Sequence, residues 1–254
     1  MRGNTVGNRV HQTLLDSLGA RIASGDPAPG SSFTLADLEQ DYSASRTAAR
    51  EAVKVLESIR MVESRRRLGI RVRPREDWDA LDEHLMRWNL SGPFRQQQFE
   101  ALLELRVAVE PLAARLAAIR ATDAQRAELL RLATSLHELG SQGLGDSEPY
   151  LAIDVDYHRL LLLSSQNPQF TALTKPVEMV LSWRANLGLT PSIPVAGTLE
   201  DHLRTARSIV DGDADAAERH ARSHVRTVWG EIAISRRPAR DSPAAAAQPG
   251  THGQ

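Results

Sequence analysis

The chain has 254 residues, enough for one large or two modest cores, and it has no cysteine, which excludes a disulfide framework, a thiolate metal site and a cysteine nucleophile. Its start, MRGNTVGNRVHQ, lacks the apolar core of a signal peptide, and no apolar run is long enough to span a bilayer, so a cytoplasmic protein with no membrane partner is expected. The net charge of −1 conceals an asymmetry, with 13 Lys/Arg against 8 Asp/Glu through Arg75 and 18 against 24 beyond it, which points to nucleic-acid contact at one end only.

Residues 1–8 carry no ordering pattern and are expected to be disordered. From Arg9 the spacing of Val10, Leu14, Leu18 and Ile22, with Leu15, predicts a helix with one apolar face. The run GDPAPGSS ends it, because two prolines and two glycines cannot continue a helix. Thr34 then caps a short helix carrying Leu35, Leu38 and Tyr42. After a break at Ser43–Ser45, residues 43–57 (SASRTAAREAVKVLE) predict a second helix with Ser45 as its N-cap. That helix carries two stripes. Arg46, Arg50 and Lys54 share one face, and Ala49, Ala52, Val53 and Leu56 share another roughly 110° away by helix geometry. A basic stripe alone is the ordinary solvated face of a surface helix. Here it sits on the second helix of a helix-turn-helix and is followed by a basic hairpin. Met61 and Val62, then Ile70 and Val72, read as two short strands around Arg65, Arg66, Arg67 and Gly69, and seven arginines lie between Arg60 and Arg75. A basic hairpin in that place is suited to phosphate or minor-groove contact.

The order helix, helix, turn, SRTAAREAVKVLE and basic wing resembles the winged-helix domain of the GntR family of bacterial transcription regulators, whose usual motif is close to SRTPVREALRRLE followed by a Gly-containing wing. The resemblance implies that Arg46, Thr47 and Arg50 contact bases and phosphates and that Gly69 is the wing glycine. It also marks a departure, since Ala36 stands where some members carry a DNA-binding arginine. Arg46 and Arg50 are the candidates for base contacts; Thr47, Lys54, Arg65, Arg66 and Arg67 are the candidates for phosphate contacts. Residues 9–75 form this expected DNA-binding domain.

Over residues 76–97, Trp78, Leu81, Leu85 and Trp88 fall on one stripe, so REDWDALDEHLMRWNL predicts a continuous connecting helix stopped by SGP. Residues 98–236 read as helices only, which makes the fold class mainly α: a winged helix-turn-helix joined to an antiparallel helical bundle. The first bundle helix, from about Phe99 to Arg120, has Leu102, Leu105, Val109, Leu112, Leu116 and Ile119 at heptad-like spacing. Thr122 and Gln125 give a capping-box signal for the next helix, which ends near Gly140. YLAIDVDYHRLLLLSSQ is a third, stopped by Asn167-Pro168. Residues 169–187 make a fourth, Thr198 caps a fifth, and a sixth starts near Ala214 after the DGD turn. The tail, residues 237–254, is rich in Pro, Ala and Gly and is expected to be disordered.

Asp154 and His158, at i and i+4 on a very apolar helix, point the same way. His202 lies early in the fifth helix and His224 in the sixth, so a hairpin of those two helices brings them together. The result would be a one-carboxylate, three-imidazole site suited to a divalent transition metal, with zinc first and nickel or manganese as alternatives. From spacing alone His220 competes with His224, since the two share a face at i and i+4.

The bundle also carries ELRVAVE (104–110), DVDYH (154–158), DHLRTARSIVDGD (201–213) and RSH (222–224). In this order they resemble the FCD ligand-binding domain that follows the winged helix in the FadR-like branch of the GntR family, whose marks include ELR…LE and D-x-x-[FY]-H. That resemblance implies a metal on Asp154, His158, His202 and His224, and it selects His224 over His220. It also implies that Arg106 faces the cavity and can grip a ligand carboxylate. Read from the residues, Arg106 lies on a helix stripe where an arginine needs an anion, and Glu110 at i+4 is the internal alternative.

The expected function is a ligand-responsive regulator and not an enzyme: a homodimeric repressor of double-stranded operator DNA, released by a small carboxylate or sugar acid. WNLSGP faintly resembles members that respond to sugar acids. Two rivals remain. A metal-dependent hydrolase or lyase could use an Asp/His₃ centre to activate water, but no H-E-x-x-H or G-x-S-x-G motif accompanies it. An architectural DNA-binding protein would use the bundle for dimerisation only.

Overall fold

In the computed structural model, residues 4–195 and 197–235 are described. The first helix, α1 (Asn4–Ser24), begins earlier than its apolar stripe and takes in residues 4–8, which the sequence left unstructured. It buries Leu14, Leu15, Leu18 and Ile22. Two residues, Ser32–Phe33, then form β1, a strand hidden in sequence by the Pro/Gly run before it. Helix α2 (Leu35–Asp41) starts at a capping box. The Thr34 hydroxyl accepts from Asp37 N–H at 3.2 Å, and the Asp37 carboxylate accepts from Thr34 N–H at 2.7 Å. Helix α3 (Arg46–Ser58) is capped by Ser45, whose hydroxyl accepts from Ala48 N–H at 3.2 Å, and it buries Ala49, Ala52, Val53 and Leu56.

Strands β2 (Val62–Arg65) and β3 (Gly69–Val72) form the hairpin, and β1 joins the outer side of β3, giving an antiparallel sheet in the order β1-β3-β2. Gly69 is required there on two counts. Its φ is +82°, and a Cβ would stand 2.6 Å from the carbonyl oxygen of Phe33.

The expected connecting helix is broken. Arg75–Asp77 form a single 3₁₀ turn, Trp78 is extended, and α4 (Glu83–Ser91) starts only after Asp82. Asp82 is the reason, since its carboxylate accepts from His84 and Leu85 N–H at 2.8 and 3.2 Å, which caps a new helix rather than continuing one. Leu81 is therefore exposed, while Trp78 stays buried by donating its indole N–H to the Arg73 carbonyl at 3.0 Å. The face of α4 lies on α1. Asp16 accepts from Arg87 at 2.8 Å and from the Trp88 indole at 3.1 Å. Gly19 lies beneath the Trp88 ring so closely that a Cβ would be 2.2 Å from it. Gly19→Ala should therefore cost about 1–3 kcal/mol by overpacking, read as a lower unfolding midpoint in urea; an unchanged or higher midpoint would refute the packing of α1 on α4.

The remaining helices are α5 (Arg95–Arg120), α6 (Asp123–Ser141), α7 (Glu148–Ser164), α8 (Pro168–Thr171), α9 (Thr174–Asn186), α10 (Thr198–Asp211) and α11 (Ala214–Ser235). Helix α5 runs through the middle of this bundle against α7, α10 and α11. Three expectations shift. First, the predicted helix over 169–187 divides into α8 and α9, because Pro176 can neither donate to residue 172 nor tolerate its carbonyl and so sits in the first turn of a new helix. Second, Thr198 is the first residue of α10 and Gly197, at φ +95°, is the cap, with Glu200 accepting its N–H at 3.1 Å. Third, α5 is rotated from its heptad stripe. Leu112 and Ile119 are exposed, and the buried face is Leu102, Leu103, Arg106, Glu110, Ala113, Ala114, Ala117 and Ala118. Alanines let helices approach closely, and Ala114, Ala117 and Ala118 pack in one cluster with Ala217 and Ala221 of α11 and Ala206 of α10. The tail, residues 237–254, lies outside the described residues.

Candidate functional site

The bundle brings three imidazoles together. His158 comes from α7, His202 from the second turn of α10, and His224 from the middle of α11. A hairpin with Gly212 in the left-handed conformation folds α10 and α11 together, as the DGD turn implied. One ring nitrogen from each histidine lies within 4.8 Å of the others. The His158 and His202 Nε2 atoms are 3.4 Å apart, and the His202 and His224 ring centres are 3.9 Å apart. Asp154 Oδ1 stands 3.5 Å from both His158 Nε2 and His202 Nε2. All four residues are buried. His220 is half-buried and lies outside the cluster.

Burial dominates the electrostatics of this centre. It pushes His202 down to about 3, against the pull of Asp154, and drives His224 well below the usual imidazole range. Both rings are therefore neutral near pH 7, with a lone pair available. His202 Nδ1 and His224 Nδ1 are buried with no hydrogen-bond partner in the protein. Neutral converging imidazoles with orphaned nitrogens beside a carboxylate fit a metal ion in donor type and in polar satisfaction. This buried cluster could hold a metal.

Behind His158 lies a second buried pair. Glu110 accepts from Arg106 Nε at 2.6 Å and Nη2 at 3.3 Å, and its Oε2 is 3.1 Å from His158 Nδ1. Arg106 Nη2 lies 3.1 Å from His158 Nε2. Burial alone would raise Glu110, but the Arg106 charge and His158 hold it down at about 2. Burial and Arg106 pull His158 down, while Glu110 and Asp154 outweigh them and raise it. Glu110 thus accepts a hydrogen bond from His158 Nδ1–H, with Nε2 turned toward Asp154 and His202. The sequence supplied Glu110 as an i+4 partner for Arg106 but not as a partner for His158, which is 48 residues further along the chain.

A cavity of about 380 Å³ opens beside the cluster, walled by the turn before α7, the inner face of α7 and the end of α9. Asp154 lines it, and so does the buried Arg184 of α9. Both also line a narrow void that reaches His202 and His224. Arg106 is not among the residues lining either space. Sequence reading passed over Arg184, although a lone arginine in the apolar run VLSWRANL is the kind of signal that marked Arg106.

At the other end of the molecule, Arg46, Thr47, Arg50 and Lys54 are exposed on α3, and Arg65, Arg66 and Arg67 are exposed at the hairpin tip. Arg46 lies 3.7 Å from Glu39, Lys54 pairs with Glu51 at 2.7 Å, and Arg65 pairs with Glu63 at 2.7 Å. Not every arginine of the 60–75 run faces outward with them. Arg73 pairs with Asp77 at 3.0 Å, and Arg75 stacks on Phe94 while donating to the Ala23 carbonyl.

Residues 11–72 match the family described as bacterial regulatory proteins, gntR family, and residues 101–227 match the FCD domain. The chain belongs to the GntR family, in its FadR-like, FCD-containing branch. This GntR protein is 31% identical to the galactonate operon transcriptional repressor of Escherichia coli K12 over 82% of its own length and 90% of the repressor's. It is 29% identical to the transcriptional repressor NanR of Cronobacter sakazakii, over 82% of this chain and 77% of NanR. The solved structure of Lar, which controls the agr system of Listeria monocytogenes, superposes with a TM-score of 0.55 at 15% identity, covering 92% of this chain and 99% of Lar; that likeness is one of fold. The family is one of transcription regulators and not of enzymes, which removes the metal-dependent hydrolase as a rival. Among the described residues, no helix is long and apolar enough to cross a membrane.

Proposed function

We propose that this GntR regulator is a cytoplasmic, homodimeric repressor released when a small carboxylate or sugar acid occupies the cavity beside the histidine cluster. The observation that carries the reading is that the buried carboxylate–imidazole centre does not end blindly. Asp154 is at once a member of the centre and a wall of the cavity. Asp154, His158, His202 and His224 would hold a divalent ion, zinc first by donor type, with nickel or manganese accommodated by the same ligands. Such an ion supplies coordination positions to an acid entering from the cavity. The chain's own contribution is to keep His202 and His224 neutral by burial and to orient His158 through Glu110, itself paired with Arg106.

On the DNA side, Arg46 and Arg50 would read bases from α3 in the major groove, while Thr47, Lys54, Arg65, Arg66 and Arg67 hold phosphates and Gly69 shapes the wing. A monomer reads one half-site, so two copies on a near-palindromic operator are required for tight binding. Signal transfer needs a stiff joint between the halves. Arg75 provides one, since it stacks between Trp78 and Phe94 and donates to Ala23 of α1 and Asn89 of α4. The effector releases DNA only if it binds the two arrangements of the DNA-binding halves with different affinity.

The test is binding to DNA upstream of this gene and its neighbours, with and without a panel of small carboxylic and sugar acids. Specific binding weakened by one acid is the expected result. Specific binding that no acid alters would favour an architectural protein with a bundle that only dimerises.

A further inference from the structure

We infer that the cavity selects a polyhydroxylated monocarboxylate, with Arg184 holding its carboxylate end and Asp146 and Glu148 accepting from its hydroxyls. This rests on the reading above that the cavity is the effector site, and it goes further by naming the cation and the chemical class.

Charge and depth carry the argument. The charged residues lining the cavity are Asp146, Glu148, Asp154 and Arg184, one cation against three carboxylates. They are not distributed evenly. Asp154 and Arg184 are buried at the end that continues to His202 and His224, whereas Asp146 and Glu148 are exposed on the turn before and at the start of α7. Asp154 is committed to the histidines at 3.5 Å, so Arg184 is the cationic group at the deep end. An incoming carboxylate is drawn to that end and repelled at the other. Arg184 is engaged within the protein as well, and five N–H donors allow it to keep an internal partner and hold a ligand carboxylate together.

The alternative cation, Arg106, fails on geometry. It is 2% exposed, its Nε and Nη2 donate to Glu110, and it lines neither the cavity nor the void beyond it.

The mouth then decides the class. A ligand with a second carboxylate would set it beside Asp146 and Glu148, where like charges repel. Hydroxyls suffer no such penalty, because a carboxylate accepts their O–H hydrogens. Ser147, Asn186 and Thr190 add further polar partners along the wall. At about 380 Å³ the space lies near the lower end of the ~300–1,000 Å³ range of small-molecule pockets, which suits a short acid rather than a long acyl chain.

The experiment uses the full chain loaded with zinc and calorimetric titration with three matched sets of six-carbon probes. These are the aldonates D-galactonate, D-gluconate and D-mannonate; the corresponding aldarates, in which a second carboxylate replaces the terminal CH2OH; and the corresponding alditols, which carry no carboxylate. At least one aldonate is expected to bind, with its aldarate and alditol weaker by about 10-fold or more. Arg184→Gln protein that folds by circular dichroism should bind that aldonate at least ~10-fold more weakly than the parent. The double variant Asp146→Asn/Glu148→Gln, which changes exposed side chains only, should narrow the gap between aldonate and aldarate. If the aldarate binds as tightly as its aldonate, or Arg184→Gln binds like the parent, the inference falls while the effector-site reading stands. If other carboxylates bind there and no aldonate does, it falls in the same way. If no carboxylic acid binds zinc-loaded protein that still binds its operator, both fall.

Discussion

The His202→Ala protein should purify with little metal and should bind zinc at least ~100-fold more weakly than the parent. His202 is the ring that joins the cluster, since it stands 3.4 Å from His158 Nε2, 3.9 Å centre to centre from His224, and 3.5 Å from Asp154. Its removal leaves two imidazoles that no third nitrogen completes. Glu110→Gln gives a graded comparison. The amide keeps the shape and an acceptor but loses the charge that orients His158 Nδ1, so zinc affinity should fall by about 10- to 100-fold. The same change leaves buried Arg106 without its counter-charge, which should cost about 3–5 kcal/mol in the metal-free protein. Metal content by mass spectrometry, together with melting curves at increasing zinc, separates the two effects. Zinc should raise the melting temperature of the parent, less that of Glu110→Gln, and hardly that of His202→Ala. Affinity in the parent should also fall on acidification, because Glu110 raises the proton affinity of His158 and a bound proton competes with the metal. Equal zinc content in the parent and His202→Ala would remove the metal centre from this account.

Why the centre could be located in sequence while its surroundings could not follows from how each is encoded. Asp154 and His158 are four residues apart on one helix, and a hairpin turn at DGD is a local signal, so the approach of His202 and His224 needed only short-range rules. The choice between His220 and His224 already exceeded them. Both lie on one face of α11, and their different depths depend on how α11 rolls against α5. Helix α5 shows the same limit more sharply. Its largest apolar side chains mark one stripe, yet the buried face is built from alanines and a charged pair, because close helix contact and a matched Arg106–Glu110 pair prevailed over side-chain size. Capping was legible at three side-chain caps: Ser45, Thr34 and Thr122 cap as their residue types predict. Asp82 followed the same rule and was overlooked because a continuous apolar stripe ran across it. Arg184 and the cavity depend on where α9 ends against α7, which no local pattern in the chain records.

Replacing Arg50 by alanine should lower operator affinity by about 10- to 100-fold, corresponding to the ~1–3 kcal/mol of a base-reading contact. Arg50 is exposed at the centre of the basic stripe of α3, and its backbone is fixed by the Ser45 cap and by burial of Ala49, Ala52 and Val53 on the neighbouring apolar face. The helix should therefore persist without it, leaving circular dichroism and zinc content unchanged. The kind of loss matters as much as its size. If Arg50 reads a base, discrimination between operator and random DNA should shrink while the dependence of affinity on salt changes little; a phosphate contact would weaken both DNAs alike and reduce the salt slope by about one. Lys54→Ala supplies the contrast. Lys54 is engaged with Glu51 at 2.7 Å and would have to leave that partner to reach a phosphate, so its loss should cost less and fall evenly on all sequences. Operator affinity that survives Arg50→Ala intact would place DNA recognition on another face of the winged helix and would withdraw Arg46, Thr47 and Lys54 with it, since the four are grouped by one helical stripe.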